Sequence, residues 1–129
     1  MSQPTILVVN DVDEMVDLFA TILNVNDYLT LTAYDGKTAI ALAISKRPDL
    51  IVVDNIMPDP DGYEVCRAVR ANPLTSNIPI IMTTCTEMSL SVARGLAAGA
   101  DGFVQLPFPI DELPRLVKAV LARGRSDNQ

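Results

Sequence analysis

The residues best able to do chemistry stand directly after short apolar runs. Asn10 and Asp11 follow the first run, Asp54 the third, Thr83 and Thr84 the fourth, and Gln105 and Leu106 the fifth. If those runs end at one edge of a sheet, two carboxylates, two hydroxyls and an amide meet there. Like charges in close proximity repel by roughly 4 kcal/mol at an effective dielectric of about 20, so Asp11 and Asp54 need a proton, a hydrogen-bond donor or a cation between them. A hard divalent ion with oxygen ligands, magnesium above all, is the natural partner. Each residue also has a plainer use: Asp11 or Asp13 can cap a helix, Asp54 can serve a turn, and Thr84 can be a satisfied hydroxyl. Only their convergence argues for a site.

The elements that would bring them together are legible in the apolar pattern. Thr5 to Val9, Leu50 to Val53 and Ile78 to Met82 are continuous apolar, β-branched runs, as expected of strands buried on both faces of a parallel sheet. Tyr28 to Ala33 is less uniformly apolar and suits a sheet edge, and Gly102 to Val104 is a short fifth strand. Helices are predicted over 13–26, 37–46, 63–71, 87–98 and 110–123 from three- and four-residue spacing and from Pro48 and Gly99 as terminators. Leu106-Pro107-Phe108-Pro109 reads as a rigid bend. Strand and helix alternate five times, which calls for a doubly wound α/β fold whose functional crevice lies beyond the carboxyl ends of the strands.

Composition narrows the function. A chain of 129 residues, 49% hydrophobic and 20% charged, suits a single packed domain. A formal net charge of −6 argues against nucleic acid binding by this domain. No signal-peptide pattern or membrane-length apolar stretch is visible, so the expected location is the cytoplasm, with no membrane contact. The absence of histidine excludes Ser/His/Asp and Cys/His catalysis and imidazole zinc sites. Cys66 and Cys85 read as reduced packing residues, and Arg67, Arg70 and Arg94 as solvated helix faces.

These residues resemble the receiver domains of two-component response regulators from about Thr5 to Leu121. The resemblance rests on ILVVND at 6–11, PDLIVVDNIMPDPDGYEVC at 48–66, IPIIMTT at 78–84 and GADGFVQLPF at 99–108. It implies a (βα)5 flavodoxin-like fold with strand order 2-1-3-4-5, here as one domain over 1–129 with its core at about 5–122 and a frayed tail at 123–129. It also implies a signalling module, not an enzyme, that accepts a phosphoryl group on Asp54 from a histidine kinase or a histidine phosphotransfer protein. Asp11, Asp54 and the Ile56 carbonyl would hold magnesium, with Asn10 acting through a water. Thr84 and Phe103 match the switch positions, Cys85, Leu106 and Pro107 border the pocket, and a cis bond is expected before Pro107. The signal would leave through a protein effector on the face of helix four, strand five and helix five, with homodimerisation there left open.

Two positions depart from the family pattern: Asn10 stands where an acidic residue is usual, and Leu106 where a lysine is usual. The two changes offset each other in net charge, since three carboxylates beside one ammonium carry the same charge as two carboxylates alone. They predict a weakened magnesium requirement and an impaired switch. The alternative is a pseudo-receiver that makes protein contacts without being phosphorylated. A phosphatase built on Asp11-Val12-Asp13 rests on a short, weak motif. A flavin module would need a glycine- and hydroxyl-rich phosphate loop where Asn10-Asp11-Val12-Asp13 stands.

Overall fold

Five strands and five helices alternate along the chain: β1 (Thr5–Val9), α1 (Asp13–Val25), β2 (Leu29–Ala33), α2 (Gly36–Lys46), β3 (Leu50–Asp54), α3 (Gly62–Ala71), β4 (Ile80–Thr84), α4 (Met88–Ala98), β5 (Gly102–Gln105) and α5 (Glu112–Arg123). The computed structural model describes residues 3–85 and 88–124. Its strands form one parallel sheet in the order β2-β1-β3-β4-β5, the expected doubly wound arrangement. β3 and β4 are buried throughout, whereas β2 is half exposed, as its weaker apolar pattern and edge position require.

Period-two alternation sorts the core into two layers. Leu7, Val9, Ile51, Val53, Ile80 and Met82 pack with Ala39 and Ala43 of α2, Cys66 and Val69 of α3, and Ala98 of α4. Ile6, Val8, Leu50, Val52, Ile81 and Val104 pack with Val16, Phe19 and Leu23 of α1 and Leu113, Val117 and Val120 of α5. No helix among the described residues is long and apolar enough to cross a membrane.

Several boundaries shift for identifiable reasons. β4 begins at Ile80, not Ile78, because the Ile78 N–H closes a turn onto Thr75 O and its carbonyl accepts from Arg70. β3, β4 and β5 each run on into the polar residues that the apolar pattern left outside. α5 starts at Glu112, leaving Ile110 74% exposed. Neither Asp11 nor Asp13 caps α1: Val12 is the cap residue, and the Asn10 side chain accepts its N–H at 3.0 Å instead. α2 and α3 do carry aspartate caps, Asp35 onto Thr38 N and Asp61 in a reciprocal box with Glu64. Of the expected tail at 123–129, Arg123 belongs to α5 and Gly124 caps it; 125–129, like Glu87 at the predicted start of helix four, lie outside the described residues. The cis bond before Pro107 is present, and a second precedes Pro60.

Arg67 and Arg94 are exposed as their helical context suggested, but Arg70 is partly buried. Arg94 lies over the Tyr63 ring, 4.1 Å from its centroid. Arg70 donates to the carbonyls of Gly99 (3.0 Å), Ser76 (3.2 Å) and Ile78 (2.6 Å) and pairs with Asp101 at 2.8 Å. Asp101 in turn accepts the Ile80 N–H at 2.9 Å, so one ion pair fastens α3 to both entrances of the sheet's β4–β5 side. Arg70→Ala is expected to cost about 2–3 kcal/mol in urea unfolding, because it strands Asp101 as well as removing donors, whereas Arg67→Ala at an exposed position stays within about 0.5 kcal/mol.

Candidate functional site

The carboxyl ends of β1, β3, β4 and β5 converge as the sequence suggested. Asp54 closes β3 with 9% of its surface exposed. Its register partner on β4 is Thr83, whose hydroxyl donates to Asp54 Oδ1 at 3.1 Å, while the Ile56 N–H donates to Oδ2 at 3.2 Å. Burial raises the Asp54 carboxyl above the ordinary carboxylate range. The Thr83 hydroxyl and the Ile56 amide oppose that by favouring the charged form, and the nearby Asp11 charge adds to the rise.

Gly62 explains why helix α3 can begin so close to this carboxylate. A Cβ there would lie 2.1 Å from the Asp54 carbonyl oxygen and 2.8 Å from Asn55 Cα, so only glycine fits. The Gly62 N–H meets Asn55 O at 3.2 Å and anchors the turn that follows β3. The turn chemistry of Met57 to Gly62 is thereby tied to placing Asp54.

Asp11 is exposed at the rim, and Asn10 beneath it is 3% exposed. Asn10 uses its N–H on Ala33 O and its Oδ1 on Val12 N, so it shapes the β1–α1 loop that carries Asp11. Two carboxylates and the exposed Ile56 turn offer hard oxygen donors suited to magnesium, an ion that keeps several waters. Among the described residues no group of three or more His, Cys, Asp or Glu side chains gathers, so carbonyl oxygen and water must complete such a shell.

The two threonines point to different places. Thr84 is fully buried, and its hydroxyl lies 3.0 Å from Ser91 Oγ on α4. Phe103 is partly buried, its ring pressed to α4 so closely that a Cβ on Gly95 would fall 2.4 Å from it. Leu106 turns into the apolar layer of α1 and α5. With Cys85, Pro107, Met15, Leu18, Ile22, Phe108 and Ile110 it lines an open apolar hollow of about 510 Å³ beside the acidic edge. Cys85 is exposed there and is not a packing residue; Cys66 is buried as expected, its thiol pushed up to about 12 by burial.

Comparison with known proteins agrees with this geometry. Residues 6–118 match the family described as response regulator receiver domain. The alkaline phosphatase synthesis regulatory protein PhoP of Bacillus subtilis is 39% identical over 119 residues, covering 92% of this chain and 49% of that protein. The master transcriptional regulator RpaA of Synechocystis is 34% identical over 120 residues, covering 93% and 50%. The chain thus spans about half the length of these curated relatives. The chemotaxis protein CheY4 of Vibrio cholerae superposes with a TM-score of 0.87 at 30% identity, covering 92% of this chain and 99% of that one. The receiver domain of the sensor histidine kinase PA1611 of Pseudomonas aeruginosa, whose structure holds magnesium in its active-site cleft, gives 0.86 at 27% identity, covering 94% and 99%. The chain belongs to the response regulator receiver domain family of two-component systems.

Thr83 is the site residue whose role the sequence did not disclose. Thr83 and Thr84 are adjacent hydroxyls, and choosing between them needs the register of β4 against β3. Thr83→Val keeps the shape and removes the donor, so the Asp54 carboxyl is expected to titrate higher still, as read by carbon-detected NMR. Thr83 favours the ionised carboxylate, so its stabilisation is present when Asp54 is charged and lost as pH falls through the raised Asp54 pKa. Unfolding free energies should therefore differ by about 1–2 kcal/mol at neutral pH and converge in acid.

Proposed function

We propose that this domain accepts a phosphoryl group on Asp54 from the phosphohistidine of a histidine kinase or phosphotransfer protein and passes the signal on through protein contacts. The observation that carries the reading is Asp54 itself, a carboxylate at the end of a buried central strand with both oxygens held by Thr83 and Ile56. An Asp54 oxygen attacks phosphorus, the P–N bond breaks as the new P–O bond forms, and the imidazole leaves with the bond's electron pair and takes up a proton from solvent. Asp11, Asp54 and the Ile56 carbonyl would hold magnesium, with Asn10 contributing through water. The ion supplies positive charge to the phosphoryl oxygens. On this reading the chain is a phosphoryl acceptor and not an enzyme, acting in the cytoplasm.

Thr84 and Phe103 are the residues that would change conformation when Asp54 is modified. Both contact α4 in the present structure, which supports the face of α4, β5 and α5 as the output surface. Leu106 supports a second reading, a pseudo-receiver that binds partners without modification, because its side chain is committed to the apolar hollow and brings no charge to the phosphoryl group.

Incubation with acetyl phosphate or a kinase should label the wild type and not Asp54→Asn; absence of label with every donor would establish the pseudo-receiver. Leu106→Lys is expected to raise the transfer rate about ten-fold, most of a unit charge's attraction being screened at this open edge. Magnesium at ten times its dissociation constant should stabilise the fold by about 1.4 kcal/mol in thermal unfolding. That gain should disappear in Asp11→Asn and Asp54→Asn.

A further inference from the structure

We propose that Ser91 on α4 is a latch that holds the Thr84 hydroxyl away from Asp54 and sets how readily the domain switches, an inference that rests on the phosphoryl-acceptor reading. The pleat places the two threonines on opposite faces of β4. Thr83 shares a face with Asp54 and touches it, whereas Thr84 meets Ser91 Oγ at 3.0 Å on the α4 side. Thr84 must give up that partner before its hydroxyl can serve the carboxylate.

The latch is dry and braced. Ser91 is 2% and Thr84 0% exposed, so no solvent replaces the bond when it breaks. Asn55, the residue after Asp54, donates from Nδ2 to Ser91 Oγ at 3.4 Å and to the Tyr63 hydroxyl at 3.1 Å. The Tyr63 ring is covered by Arg94, which is also on α4. A chain of polar groups therefore runs from Thr84 through α4 to Asn55, where the β3–α3 turn leaves Asp54. Release of Thr84 is coupled by this chain to the seat of α4, and any partner that displaces α4 would favour the switched state.

Removing one neutral hydrogen bond changes an equilibrium by about 2- to 10-fold. Ser91→Ala is therefore expected to tighten binding of beryllofluoride, a phosphoryl mimic, by that factor in saturating magnesium, with Ser91→Cys, which keeps the volume, falling between. In a Thr84→Ala background the same substitution should change nothing. Equal tightening with and without Thr84, or none, overturns the latch. The ligand-free protein gives an independent reading from the Thr84 χ1 couplings by NMR. Wild type should show one rotamer and Ser91→Ala an average; a single unchanged rotamer in Ser91→Ala overturns the latch. Failure of the wild type to bind beryllofluoride would instead overturn the phosphoryl-acceptor reading, and the couplings would still decide the role of Ser91.

Discussion

A carboxylate at the end of a buried strand is the constraint around which the rest of this molecule is arranged. Asp54 terminates β3, whose residues are all buried, and the sheet has no means of moving it outward without breaking the register with Thr83. Its charge must be kept by nearby donors or lost to a proton. The Thr83 hydroxyl and the Ile56 amide occupy one oxygen each, which keeps the group ionisable against the cost of burial. Both donors exist only because neighbouring backbone is held closely. The Ile56 amide depends on the turn fixed by Gly62, and Thr83 depends on β4 pairing directly beside β3.

The same pairing separates two tasks that the sequence places side by side. One hydroxyl of the Thr83-Thr84 pair serves the carboxylate and the other is drawn into the α4 layer with Ser91. A parallel strand can do this because adjacent side chains leave on opposite faces. The helices on those faces consequently have different relations to the site. α1 and the bend between β5 and α5 border its apolar flank through Met15, Leu106 and Phe108, and α4 touches Thr84 and Phe103 through Ser91 and Gly95.

The parallel sheet and the meeting of Asp11 and Asp54 at its carboxyl edge were legible because continuous apolar runs and their polar ends are properties of local sequence, whereas the strand order followed from the family resemblance. What stayed hidden depended on long-range partners. Arg70 reads as a helix-surface arginine until Asp101 and three carbonyls are brought to it from the segments before β4 and β5. Ser91 sits in a helix of small residues and gives no sign that it faces inward to Thr84. At the start of α1, aspartates looked like the cap, but Asn10 takes the Val12 amide from the preceding strand end, a bond set by how β1 leaves the sheet. Cys85 was misjudged because β4 extends to Thr84, which puts the cysteine past the last buried position.

Asn10 and Leu106 make physical sense as a pair. Asn10 is buried beside the carboxylates and commits its side-chain oxygen to a backbone amide, a role an amide performs without adding charge. An aspartate there would put a third negative charge near Asp54, whose carboxyl is already raised by burial and by Asp11. In a pocket where position 106 supplies no ammonium, that charge would favour a protonated, unreactive Asp54. On the proposed reading, a neutral residue at 10 therefore lets Leu106 remain apolar while adding no further rise to the Asp54 carboxyl, whose ionised form phosphoryl transfer would use. Restoring either residue alone would unbalance the edge in opposite directions, which ties the fate of the carboxylate to both positions together.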